Sequence, residues 1–402
     1  LDRAGKRPEA TEWLETAATA GHTEALTLLA VADLQGLERP RDIPRARERL
    51  YRAVSLGGNA ARLLLAVLVA AGIGEAASWP KAVALVIDAA KDGDYQALRQ
   101  LALLMEMASP DDPIAADLLL RAGLKGDGLA AFAILRRQML RGRTLATERA
   151  FAQWREGVVR IGHPLAARVA NVIASPDATV KRPEGEPAWA EIERALNVPP
   201  GLTIVTPAAF SDEPYIRRFD NLLSVEECDY LIGLSSRYLI PAEVLDRSSG
   251  VPAKSRARTN SVAVLWPVHQ DIVVHAINLR LAAATGLPPE NGELTNILMY
   301  RPGEEYRAHF DFFPAEIAAG DPSGQRIRTL LVYLNETYEG GETRFLVPGL
   351  NVKGDPGDAI LFHNCDAATG APDKSTLHAG LPVASGEKWL LSKWYREKTF
   401  VN

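Results

Sequence analysis

The residues with the most chemical content lie late in the chain: Ala308-His309-Phe310-Asp311-Phe312, then Leu377-His378-Ala379-Gly380, then Lys388-Trp389. His309, Asp311 and His378 offer two imidazoles and one carboxylate. That donor set occupies one face of an octahedral ion, leaves the other face open and keeps enough positive charge to take an anionic chelator. Lys388 adds a cation for the far end of an acidic co-substrate. Together these residues point to non-haem Fe(II) oxygenase chemistry. In an extended strand residues i and i+2 project to one side, so His309 and Asp311 can reach one ion while Phe310 packs behind them. An isolated H-x-D is a weak signal, and the segments around it carry the rest of the argument.

Such a site needs a rigid frame. Thr329 to Leu334 and Ala359 to Phe362 are short apolar, β-branched or aromatic runs bounded by Gly, Asp, Asn and Pro, the pattern of strands buried in a sandwich. Pro302-Gly303 and Gly340-Gly341 are turn punctuation between such runs. From Lys388 to Trp394 the positions Lys388, Leu390, Ser392 and Trp394 share one face. If that face is interior, Lys388 is a buried cation, costly unless it meets an anion.

The H-x-D is preceded by Glu293-Leu294-Thr295-Asn296-Ile297-Leu298-Met299-Tyr300-Arg301-Pro302-Gly303-Glu304-Glu305-Tyr306 and followed by Arg326 to Asn335, Glu339-Gly340-Gly341-Glu342-Thr343, Gly357 to Phe362, Leu377 to Val383 and Gly386-Glu387-Lys388-Trp389. In order and spacing, from about Ile216 to Trp394, these segments resemble the prolyl 4-hydroxylases of the 2-oxoglutarate- and Fe(II)-dependent dioxygenase superfamily. The resemblance implies a double-stranded β-helix, or jelly roll, with the metal between its two sheets. It puts His309, Asp311 and His378 on iron, and Lys388 on the distal carboxylate of 2-oxoglutarate with hydroxyls from Tyr300 and Thr343. Tyr306, Arg326 and Trp394 match positions facing the substrate or reacting centre, and Glu293 a position that supports it. The implied cofactors are Fe(II), 2-oxoglutarate and O2, with ascorbate as an optional fourth. The implied reaction hydroxylates a prolyl residue in a protein or peptide and releases succinate and CO2. Phe312 and Phe313 stand where a tyrosine is common, Asn296 where glutamine is frequent and Arg328 where a small residue is usual. None of these removes a required chemical group, but pocket walls set specificity. The same chemistry on another residue such as arginine, or on a free amino acid, and a scaffold with an inactive oxygenase domain are the alternatives. His363 is read as a side chain beside the site, and the other histidines as structural.

The first half is different: rich in Ala and Leu, and repetitive. Glycines at 21, 57, 93, 126 and 162 recur at intervals of about 36, a period that belongs to helix-pair solenoids. Gly falls where one helix ends, small Ala residues let two helices approach, and Leu fills the layer between repeats. The pattern resembles Sel1-like repeats, relatives of the tetratricopeptide array. The expected fold is therefore multidomain α + β, an α-helical repeat solenoid (1–175), a linker with a short helix around Trp189 to Leu196 (176–205) and a jelly-roll oxygenase domain (206–402). The last opens with a strand near Ile216 and a helix whose Ser224-Val225-Glu226-Glu227 fits a capping box. Asp246 to Arg258, polar, basic and rich in breakers, is a candidate lid.

Composition mainly excludes. With 402 residues the chain can build two sizeable cores. Two cysteines, Cys228 and Cys365, make no disulfide framework and read as buried thiols. The densest apolar run, Leu63 to Ile73, is too short to span a membrane. A net charge of -5 without a basic stripe argues against nucleic acid as partner. The expected setting is cytoplasmic, with a protein or peptide substrate and with repeats that recruit it or join two copies of the chain.

Overall fold

The computed structural model describes residues 7–36, 40–141, 148–172, 184–204, 206–245, 252–253, 257–366 and 369–400. Contacts divide the chain into two compact units. One comprises Leu1–Gly162, Arg168–Gly201 and Pro267–Ala276, the other His163–Ala167, Leu202–Trp266 and Ile277–Asn402. Most of the candidate lid falls outside the described residues.

The first unit is a series of helical hairpins: α1 (Arg7–Thr19) with α2 (Thr23–Gln35), α3 (Ile43–Ser55) with α4 (Asn59–Ala70), α5 (Trp79–Lys91) with α6 (Tyr95–Ala108) and α7 (Pro113–Leu124) with α8 (Gly128–Arg141); α9 (Glu148–Arg160) follows, and then α10 (Ala166–Val169), which is divided between the two units. All five repeat glycines lie between consecutive helices and have positive φ, from 65° to 97°. Each supplies the left-handed residue that closes one helix and lets the chain reverse. The flanking Ala53, Ala61, Ala89 and Ala97 are fully buried, which allows the helices of a pair to approach closely. Aspartates cap several starts, Asp94 accepting from the Ala97 backbone N–H at 2.9 Å and Asp112 from Ile114 at 2.7 Å. The apolar run from Leu63 begins in α4 and ends beyond it, and no helix among the described residues is long and apolar enough to cross a membrane. A short helix, α11 (Trp189–Ala195), follows.

The second unit is built on strands β1 (Ala208–Ser211), β2 (Ile216–Phe219), β3 (Ile240–Pro241), β4 (Val244–Leu245), β5 (Pro252–Ala253), β6 (Ser261–Leu265), β7 (Thr295–Tyr300), β8 (Tyr306–His309), β9 (Arg326–Tyr333), β10 (Tyr338–Gly340), β11 (Thr343–Phe345), β12 (Leu350–Val352), β13 (Ala359–His363), β14 (His378–Gly380), β15 (Val383–Gly386) and β16 (Lys388–Arg396). An eight-stranded sheet has the order β1-β2-β13-β9-β16-β7-β6-β3, and a four-stranded sheet the order β12-β11-β14-β8. Alternate residues of both face a common core. Leu298, Tyr300, Leu331, Tyr333, Ile360, Phe362 and Leu390 come from the larger sheet, Phe345 and Val352 from the smaller. This is the jelly-roll sandwich expected, with one strand, β1, ahead of the predicted start. Helix α12 (Val225–Ser235) opens with the predicted capping box. The Ser224 hydroxyl accepts from the Glu227 N–H at 3.1 Å, and Glu227 accepts from the Ser224 N–H at 2.7 Å. Two further helices are α13 (Ile272–Thr285), whose residues up to Ala276 group with the first unit, and α14 (Ala315–Gly320). Both cysteines are buried thiols.

Candidate active site

The two histidines are brought together by strand register. His309 ends β8, His378 begins β14, and they are directly paired across this antiparallel ladder, so their side chains leave the same face. Their rings lie 4.3 Å apart. Asp311 does not sit in the strand as expected. The chain bends after His309, where Pro314 leads into α14 and the Gln325 amide clamps Phe313, accepting from its N–H at 2.7 Å and donating to its carbonyl at 2.9 Å. The bend turns the Asp311 carboxylate inward, with Oδ1 3.6 Å from His309 Nε2 and Oδ2 3.7 Å from His378 Nε2. One donor atom from each residue falls within 4.8 Å of the others.

The donors suit a divalent cation. Each histidine donates its Nδ1–H to the backbone carbonyl two residues before it, His309 to Arg307 at 2.8 Å and His378 to Thr376 at 2.9 Å. Both Nε2 lone pairs are thereby left for an ion. Burial pushes His378 down to about 4, so it is the neutral imidazole a metal requires. For Asp311 burial alone would favour the neutral acid, but the pull of His378 and His309 prevails and holds the carboxyl well below its usual range. Phe345 and Phe362 wall His378 at ring distances of 5.6 and 5.0 Å.

Lys388 is paired in register with Tyr300, is almost wholly enclosed, and donates to the Gly341 carbonyl at 2.7 Å. No carboxylate among the described residues makes an ion pair with it. Burial lowers its pKa to about 7, with Glu342 acting the other way. The rings of Tyr300 and Tyr333 flank the ammonium at 5.2 and 5.9 Å. Thr343 is buried and accepts from the Tyr333 hydroxyl at 3.1 Å. A methyl built on Gly380 would meet the Tyr300 hydroxyl at 3.8 Å, so this chamber adjoins the strand that carries His378.

On the other side of the triad lies a cavity of about 770 Å³ whose lining includes Tyr306, His309, Asp311, Arg326 and Trp394. Tyr306 stacks on His309 with ring centres 3.5 Å apart. Arg326 is fully committed. It forms a two-point bridge to Glu293 at 2.7 Å for each contact, and its guanidinium lies 4.0 Å over Trp394 and 4.5 Å over Phe313. Arg396 joins Glu293 at 3.0 Å. Burial would raise the Glu293 pKa, but Arg326 and Arg396 outweigh it and keep the carboxylate ionised. Among the described residues Trp394 Nε1 is enclosed without a hydrogen-bond partner.

The model of the 2OG-Fe(II) oxygenase superfamily matches residues 295–396, the stretch that holds the triad and Lys388. Prolyl 4-hydroxylase 1 of Arabidopsis thaliana is 36% identical over 208 residues, covering 48% of this chain and 73% of that protein. The chain belongs to the prolyl 4-hydroxylase family. It is accordingly a 2-oxoglutarate-dependent dioxygenase. Among solved structures, the viral collagen prolyl hydroxylase of Paramecium Bursaria Chlorella virus-1 is similar at 31% identity over 47% of this chain and 99% of that one, with a TM-score of 0.37. A Sel1 repeat protein from Oxalobacter formigenes is similar at 23% identity over 29% of this chain and 90% of that one, with a TM-score of 0.27.

In this dioxygenase six of the nine site residues named from sequence fall into two spaces, Lys388, Tyr300 and Thr343 in the chamber and Tyr306, Arg326 and Trp394 along the cavity, with the three of the triad between. His363 departs from its reading. It follows the inward-facing Phe362, so strand alternation turns it away from the core, where it stacks on Tyr215 at 4.0 Å. Three contributors went unread: Tyr333, Thr329 and Asn364. Alternation along β9 would have turned Thr329 and Tyr333 inward with Leu331, but Asn364 lies in an irregular stretch after β13 that no period predicts.

Proposed function

We propose that this protein hydroxylates a prolyl residue within a protein or peptide, binding Fe(II) at His309, Asp311 and His378 and 2-oxoglutarate through Lys388. The observation that carries the reading is Lys388, an enclosed ammonium whose one hydrogen bond among the described residues goes to a neutral carbonyl. A buried cation without a counter-charge is strongly unfavourable, and a dicarboxylate would supply one. The iron, when bound, contributes activation of O2 at the expense of 2-oxoglutarate, which leaves as succinate and CO2 while one oxygen atom enters a substrate C–H bond.

The protein's own groups do the rest. Nδ1–H bonds to the main chain fix both imidazoles with Nε2 forward, so no tautomer change precedes metal binding. Lys388, with the hydroxyls of Tyr300 and Thr343, orients the co-substrate from its distal end, leaving its oxoacid end toward the triad. Phe345 and Phe362 exclude water behind His378. Along the cavity Tyr306 and the Arg326–Trp394 stack form a rigid wall for the target ring, and Trp394 Nε1 is a donor for a substrate carbonyl. The cavity greatly exceeds one amino acid and includes Ile240, Pro241, Phe310, Phe312 and Pro314 in its lining, which favours a peptide over a free amino acid. The helical hairpins, an extended surface suited to protein contact, recruit that substrate or a second copy of the chain.

The reading is tested by incubating the full chain with Fe(II), 2-oxoglutarate and proline-rich peptides. Gain of one oxygen on proline, coupled to succinate, supports it. Succinate formation stimulated by arginine-containing peptides lacking proline would move the activity to another residue.

A further inference from the structure

Asp311 is held differently from its two partners. The histidines lean on their own strands, whereas the carboxylate is gripped from the opposite sheet. Thr329, fully buried on β9, donates its hydroxyl proton to Asp311 Oδ2 at 2.7 Å. Asn364 Nδ2 donates to the same Thr329 oxygen at 2.9 Å. A hydroxyl has one proton, and with Asn364 filling an acceptor position that proton is directed to the carboxylate. Asn364 is itself anchored, its N–H donating to the Ile327 carbonyl and its carbonyl accepting from the Asp373 N–H, both at 2.9 Å. Register seats Thr329 between Phe362 of β13 and Trp394 of β16, so neither donor can follow a swinging carboxylate.

The two oxygens of Asp311 are therefore inequivalent. Oδ2 is committed to Thr329, while Oδ1 faces His309 Nε2 at 3.6 Å. We propose that Asn364 and Thr329 form a two-step hydrogen-bond relay that makes Asp311 a one-oxygen ligand through Oδ1. A carboxylate free to rotate could take two positions on the ion, one of which a chelating co-substrate or O2 needs. Thr329 and Asn364 are thus positioning residues: they set how many places stay open on the metal without touching it. The inference rests on the metal site proposed above.

Co(II), whose visible spectrum reports coordination number, tests the relay on the full-length chain without turnover. Thr329→Val keeps the shape and deletes the hydroxyl. It is expected to change the Co(II) absorption intensity and weaken Co(II) affinity by about 10- to 100-fold, the range for loss of such outer partners. Thr329→Ser should restore both, and Asn364→Leu should give a smaller change in the same direction, which keeps the relay testable should the valine variant fold poorly. Wild-type affinity and spectrum in Thr329→Val or in Asn364→Leu, or a serine variant as impaired as valine, would overturn it. His309→Ala separates the two levels. If the wild type binds no Co(II), or His309→Ala binds it equally well, the metal site and the relay built on it both fall. If His309→Ala abolishes binding and Thr329→Val leaves it unaltered, the relay alone falls.

Discussion

Replacing Lys388 by Met should make the protein more stable and less able to bind its co-substrate at once. The free protein encloses an ammonium whose pKa falls from 10.5 to about 7 through burial, a difference of about 5 kcal/mol at most between its charged and neutral forms. Met fills a similar volume without charge, and removal of a poorly compensated buried charge typically gains about 1–4 kcal/mol. Thermal unfolding without 2-oxoglutarate at pH 6 to 7 should therefore show a higher midpoint for Lys388→Met. The pH dependence has a definite sign. Between about pH 7 and 10.5 the unfolded chain binds the Lys388 proton more tightly than the folded one, so wild-type stability gains from this group as pH rises and the full penalty is present below pH 7. The Met variant lacks that slope. In the other direction, losing a charge partner in an enclosed site costs on the order of 2–5 kcal/mol, so KM for 2-oxoglutarate should rise about thirtyfold or more. Wild-type affinity for 2-oxoglutarate should decline above about pH 7 as the free lysine loses its proton. A Met variant that unfolds earlier than wild type without co-substrate, or keeps the wild-type KM, would refute the reasoning.

Asp311→Ala should abolish succinate formation and metal retention, checked by turnover and by metal content after gel filtration. Glu293→Gln should loosen Arg326 and Arg396 together, raising the KM for peptide at least several-fold while leaving the affinity for 2-oxoglutarate within about twofold; equal effects on both would place the network elsewhere. His363→Phe should leave metal affinity and turnover unchanged, because its ring stacks on Tyr215 away from the triad. Gly57→Ala has space for its methyl but a φ of 86°, so calorimetry should show a loss of about 1 kcal/mol with the kinetic constants intact.

How far the site could be read from sequence depended on how local each signal was. His309 and Asp311 are two residues apart, and Lys388 and Trp394 share a face through strand alternation alone, so their types and spacing were informative before any pairing was known. The glycines at 21, 57, 93, 126 and 162 were legible for the same reason, since one backbone requirement recurs in each hairpin. The bend after His309 was not, because it comes from Gln325 reaching back to Phe313 across α14. Nor was the link from Asn364 to Thr329 to Asp311, which exists only once β13 and β9 are in register. Arg326 read as a cation facing substrate, yet its charge is met by Glu293, a partner 33 positions away, that only the fold brings opposite it. The grouping of Pro267–Ala276 with the helical unit likewise has no marker in composition or period.

The way each histidine is held has a consequence for how such a protein can change over generations. Both imidazoles take their orientation from a main-chain carbonyl two residues upstream, and no amino-acid substitution deletes a carbonyl. Residues 307 and 376 can vary in side chain without releasing either ring, and the surrounding walls can be rebuilt for a new substrate while the nitrogen donors stay aimed. The carboxylate enjoys no such insulation, since its grip is made of two side chains that single codon changes can remove. Drift in this enzyme should therefore be tolerated around the histidines and punished around Asp311.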